Sequence, residues 1–310
     1  MIKKKNISET NIYNYCLALF VFSFVTLLLF MKLEAIQDGT NLLIFCFILI
    51  LILGVSHGSL DPIKGEKILR PKYKNNWKVI FYVGYICLSA LVIFLWIKIP
   101  ALTLLVFLII ASFHFGYEDL DFFNCADHQL KSLMAFMKGS LIILLSLNFQ
   151  PETTKLFFNY LMVNENSYSF LNNQFNNLLI LNISILALGL PLLFKDNIKN
   201  LLIIKLETIL TILAFIFLPL IAAFTFYFCF IHSSKHTLGL AKMLNANNIL
   251  IGLRMFVKKA LPLTLAVLVF AIVLTVNLNF SVSESIIKVI FIGLASLTLP
   301  HILLEIFEKK

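Results

Sequence analysis

Charge is what this chain has least of. Aspartate, glutamate, lysine and arginine together make up 13% of its 310 residues, and hydrophobic residues make up 60%. A soluble domain carries about twice that charged share. A water-facing globular fold is therefore excluded, and a polytopic membrane protein is implied. Cysteine is sparse and unpatterned. The five, Cys16, Cys46, Cys87, Cys125 and Cys229, are odd in number and lack C-x-x-C spacing. Four lie inside apolar runs and read as small buried hydrophobes. A small-residue cleavage site is also missing after the basic opening at residues 1–5. The run 12–31 is therefore expected as a retained first span rather than a signal peptide. No internal repeat is evident.

What is present is a series of apolar runs, near 12–32, 41–57, 79–97, 100–115, 132–149, 176–194, 201–232, 260–277 and 286–304. In lipid a helix satisfies its own backbone hydrogen bonds. The expected fold is an all-α, polytopic membrane helix bundle of eight to ten transmembrane helices, forming one catalytic domain over residues 1–310. The Asn-rich stretch 149–174 reads as a loop. The run 201–232 reads either as one long helix from near Thr208 or as two short helices broken at Leu218-Pro219, because proline disfavours continuation.

The formal charge of +9 sits between the apolar runs: Lys3, Lys4 and Lys5; then Lys64, Lys67, Arg70, Lys72, Lys74 and Lys78; then Lys235, Lys242, Arg254, Lys258 and Lys259. That is the positive-inside distribution, not a groove for nucleic acid. It predicts a multi-pass protein of the cell inner membrane with cytoplasmic termini, although the acidic loop 117–130 does not follow the pattern. In this topology an even number of crossings within 201–234 brings His57, His114, His232, His236 and His301 to one depth.

Those five are all but one of the six histidines, and each ends an apolar run: GVSHGSLD (His57), ASFHFGYED (His114), FIHSSKH (His232 and His236) and LTLPHILLE (His301). The sixth, His128, lies in the polar stretch NCADHQ and reads as a solvated loop residue. An imidazole in a bilayer is costly unless it pairs or binds something. His232 and His236 are four apart, which on a helix puts both rings on one face, the spacing that chelates one ion. His57 and His114 read as further ligands. His301 follows Pro300 and reads as a ligand, a supporting residue or part of a substrate pocket.

Asp61, Glu118 and Glu305 each follow a histidine by four residues. They could accept the second N–H of a ligating ring, or they could be carboxylates at the water interface. Ser233 occupies the place of the general-base Glu in H-E-x-x-H, which argues against a metallopeptidase. Imidazole-only ligation suits iron, copper, zinc or nickel. Six histidines without an HH pair are too few for the di-iron membrane desaturases, so mononuclear iron fits better. Haem b held between helices, giving an electron-transfer protein, and a metal transporter are the competing readings.

At these motifs the chain resembles the Brp/Blh-type β-carotene 15,15′-dioxygenases, integral membrane enzymes that supply retinal to microbial rhodopsins. The likeness runs from GVSHGSLD through SFHFGYED and HSSKH to LPH. It implies Fe(2+) bound by His57, His114, His232 and His236, with β-carotene and O2 as substrates. The product it implies is all-trans-retinal, made in the lipid bilayer and handed to a rhodopsin. Pro62 after Asp61 is a local departure that touches no implied ligand. Phe113, Phe115, Phe224, Phe226, Phe228 and Phe230 lie near the histidines and fit an apolar groove for a carotenoid.

Overall fold

The computed structural model describes residues 9–32, 39–123, 128–175 and 177–308, apart from the side chains of Glu9, Lys32, His57 and His128. Lys3–Lys5, Cys125 and the rings of His57 and His128 thus lie outside the described set. Among described residues the backbone is nearly all helical, with no strand.

Helix α1 (Glu9–Lys32) is followed by α2 (Gly39–Leu49), a π turn (Ile50–Gly54) and a 3-10 turn (Val55–Leu60) that carries His57. Polar α3 (Asp61–Tyr73) leads to α4 (Trp77–Lys98) and α5 (Pro100–Asp121). Then come α6 (His128–Phe149), the short α7 (Pro151–Tyr160) and α8 (Glu165–Phe175), α9 (Leu178–Leu193) and α10 (Ile198–Phe217). The last part holds α11 (Leu220–Phe226), a second π turn (Tyr227–His232), α12 (Ser233–Leu244), α13 (Ile249–Asn277) and α14 (Val282–Glu308).

Among the described residues, seven helical runs are long and apolar enough to cross a bilayer, eight if the bent pair α8–α9 counts as one span. The longest run, Gly39–Lys98, holds two apolar arms joined by α3. Counted apart, they bring the number to eight or nine. The surface inverts the soluble pattern. Ile180, Leu188 and Val276 are exposed, while Asp119, Lys138, Glu207 and Lys235 are buried. Such an apolar surface suits a bilayer, and protein must solvate the buried charges.

Two expectations are corrected. The stretch 149–174 is not a loop: Pro151 starts α7, and Phe158, Tyr168 and Leu171 bury one side of α7 and α8. Its asparagines sit mainly on the exposed side, which hides the helical period from a reading by composition. Lys235 is not a loop charge but a fully buried residue of α12.

The alternative at 201–232 is resolved as a break. α10 ends at Phe217, and Leu218 and Pro219 are extended (ψ 156° and 145°) before α11 begins. The carbonyls of Phe215 and Leu218 accept hydrogen bonds from Gln150 Nε2 at 2.9 and 2.8 Å. The two π turns pack together, and Ser233, the first residue of α12, satisfies part of the freed backbone of the first. Ser233 Oγ donates to the carbonyls of Leu53 and Gly54 at 2.6 and 3.2 Å. Gly54 permits this approach, since a Cβ there would overlap the Phe228 ring. Likewise Gly116 and Gly139 let α5 and α6 pack backbone to backbone, as small residues do in membranes.

Candidate metal centre

Four histidines meet in the interior. His114 comes from α5, His232 ends the second π turn, His236 stands on α12 and His301 on α14. All four are buried. The His114 ring centre lies 5.2 Å from that of His232 and 5.4 Å from that of His301, and His236 and His301 are 5.4 Å apart. α14 continues as a helix through Pro300, so His301 is delivered by helix geometry rather than by a loop.

Glu305 binds the group together. Its Oε1 lies 2.9 Å from His236 Nε2 and 3.4 Å from His301 Nε2, and its Oε2 lies 3.6 Å from His114 Nδ1. Lys64 Nζ approaches Oε1 at 3.1 Å. Asp61 serves His301: the two carboxylate oxygens are 2.8 and 2.9 Å from Nδ1. Tyr85 in turn donates its hydroxyl to Asp61 at 3.0 Å. Glu118 Oε2 stands 3.8 Å from His236 Nε2.

Among the described residues, two donor sets could each hold an ion, His114–His301–Glu305 and Glu118–His236–Glu305, the ligand atoms of each set lying within 4.8 Å of one another. Imidazole nitrogens with adjoining carboxylates are a donor chemistry suited to iron or zinc, so the residues fit a metal. Of the implied ligands, His114, His232 and His236 come together, while the side chain of His57 lies outside the described set. His301 stands among them. Asp61 and Glu118 contact rings carried by other helices, those of His301 and His236.

Behind His232 lies a second buried polar group that the sequence reading missed. Asp119 Oδ1 is 3.9 Å from His232 Nδ1. Lys138 bridges Asp119 and Glu207 at 3.2 and 3.3 Å, and Lys235 reaches Glu207 at 2.7 Å. Tyr227 donates to Asp119 at 3.0 Å and Tyr13 to Glu207 at 2.7 Å. The signals available were Glu207 and Lys138, charged residues inside apolar runs.

An apolar cavity of about 400 Å³ opens beside the rings and is lined by His114, His232 and His301. The phenylalanines divide by face. Phe115, Phe224 and Phe228 line the cavity, whereas Phe226 and Phe230 pack on Phe20 of α1. Phe113 is exposed and stacks on Tyr117.

Compared with known families, residues 48–307 match β-carotene 15,15′-dioxygenase. The chain belongs to the β-carotene 15,15′-dioxygenase family. A curated relative, the β-carotene 15,15′-dioxygenase of uncultured marine bacterium 66A03, is 29% identical over 276 residues, covering 86% of this chain and 94% of the relative. No solved structure gives a significant match.

Proposed function

We propose that this protein cleaves the central 15,15′ double bond of β-carotene with O2 to give two molecules of all-trans-retinal. The observation that carries this reading, beside family membership, is a buried histidine cluster on the wall of an apolar cavity. Few other environments need both a set of imidazoles and a hydrocarbon-lined space.

The proposed ligands are His57, His114, His232 and His236. A ferrous ion, if held by these residues, would supply the activation of O2. The chain's own residues do the rest. Asp61 holds the orientation of His301, and Tyr85 holds Asp61. Glu305 links His236 to α14. Glu118 gives His236 a second carboxylate neighbour. Phe115 and Phe228 sit against His232, with ring centres at 4.6 and 5.6 Å; they bind the polyene and keep water away from the reacting bond.

Edge contact among rings 5.2–5.4 Å apart leaves no room for a macrocycle between them, which disfavours haem b. The proposed setting is the inner membrane with cytoplasmic termini, and retinal passes from there to a rhodopsin. Expression in cells that make β-carotene tests the reading. The orange pigment should bleach and retinal should accumulate; unaltered pigment beside iron-loaded protein would refute it.

A further inference from the structure

The cavity beside the histidines is open at one end. Of its lining residues, three are exposed: Tyr82 (46%) and Ile86 (65%) on α4 and Leu263 (38%) on α13. They form a rim on the apolar outer surface. At the other end the lining comes from Leu104, Leu147, Thr154, Phe157, Phe158 and Leu161, none of which is exposed. His114 and Leu104 both line the space from α5, ten residues apart, which is about 15 Å along a helix axis. His301 and Phe291 repeat the interval on α14.

A run of aromatic rings connects the two levels. His232 stacks on Phe228 (5.6 Å, 13°) and Phe228 on Phe224 (5.5 Å, 10°). Phe224 meets Phe291 at 5.3 Å, and Phe291 meets Phe157 of α7 at 6.1 Å. α7 closes the far end and is tied down from three sides. Trp96 Nε1 donates to the Leu161 carbonyl at 3.0 Å, Thr154 Oγ1 to the Ser146 carbonyl at 3.0 Å, and Tyr168 to the Pro151 carbonyl at 2.8 Å.

We infer that α7 is the stop of a blind sleeve, and that its distance from the histidines selects which double bond is cut. This rests on the β-carotene reading above. A conjugated polyene presents a row of similar double bonds to the site. The sleeve offers no polar mark to tell them apart, because its hydroxyls are turned to backbone carbonyls: Ser112 to Leu108 at 2.7 Å, Ser146 to Ile142 at 2.8 Å and Thr298 to Leu294 at 2.6 Å. Register is therefore set by length. One β-ring seats against Phe157, Phe158 and Leu161, and the polyene runs back along the aromatic rings. The depth is comparable to one half of β-carotene, so the central bond lies at the histidines. The other half extends toward the rim of Tyr82, Ile86 and Leu263 and the lipid.

Three variants change the depth without touching the histidine cluster. Phe157→Ala and Leu161→Ala deepen the sleeve, and Ser146→Phe shortens it. Each purified, iron-loaded variant is incubated with β-carotene in air, and the carbonyl products are separated by chromatography. Cleavage breaks one C=C bond and places one oxygen atom of O2 on each new end, wherever the bond lies. Wild type should give retinal alone. The variants should give an unequal pair of carbonyl products, one longer than retinal and one shorter (a methyl ketone where the cut carbon bears a methyl), whose carbons together equal those of β-carotene. Ile86→Trp at the rim should lower kcat/KM with the product unchanged. Retinal as the sole product from every folded depth variant overturns the stop, as does uniform loss of activity without any change of product. If Phe157→Ala fails to fold, Leu161→Ala and Ser146→Phe decide the matter by the same readout. Failure of the wild type to cleave β-carotene refutes the functional reading instead.

Discussion

Asp61 and His301 are held together by two short contacts, 2.8 and 2.9 Å, between residues 240 positions apart in sequence. The pair ties the start of α3 to the last helix, and Tyr85 of α4 completes it. A carboxylate on the Nδ1 of a histidine fixes the tautomer and aims Nε2. That Nε2 points toward Glu305 at 3.4 Å. Asp61→Asn keeps the shape but removes the charge. Activity should fall about 10–100-fold, with the protein still folded. Tyr85→Phe removes one hydrogen bond, worth about 1 kcal/mol, and should cost less. Steady-state kinetics on both variants check the order.

Removing a proposed ligand should do more. His57→Ala, His114→Ala, His232→Ala or His236→Ala should each lower activity by orders of magnitude and reduce bound iron. Elemental analysis of the wild type should find one iron per chain. Full activity in His236→Ala, or two irons per chain, would contradict the proposed ligand set.

The group around Asp119 and Glu207 should govern stability. Its lysines and carboxylates have no exposure to speak of, and removing one partner leaves a buried charge uncompensated. Glu207→Ala should destabilise by about 3–5 kcal/mol, seen as a lower unfolding temperature in detergent. The double variant Glu207→Gln with Lys235→Met removes charge from both sides and should be less damaged than the single one.

Gly116 lies two residues after His114, where α5 touches α6. A methyl there would overlap the Ala135 carbonyl. Gly116→Ala should therefore separate the helices and move His114. Overpacking of this kind costs about 1–3 kcal/mol. Activity should drop further than stability alone explains, which comparison of kcat with the unfolding temperature will show.

Much of this was legible because a bilayer penalises polar groups. A histidine in an apolar run needs a reason, so His114, His232, His236 and His301 stood out, and all four meet. Pro219 marked the break after α10, since proline lacks the N–H that helix continuation requires. Other features left no local trace. Asp61 pairs with His301, and sequence spacing cannot reveal a contact between the first and last thirds of a chain. Lys235 looked like one more basic residue beside a membrane; its burial depends on Glu207, 28 positions earlier. Residues 149–174 looked like a loop because the stretch is rich in asparagine, although Phe158, Tyr168 and Leu171 already carried the buried side of two helices.

The most direct measurement is the stoichiometry of the purified, iron-loaded protein with β-carotene, in air and under anaerobic conditions. The expected result is two retinal molecules for each β-carotene lost in air, and no reaction without O2 or after iron chelation. Unchanged β-carotene in air, or turnover that continues without O2, would contradict cleavage by an iron-dependent dioxygenase.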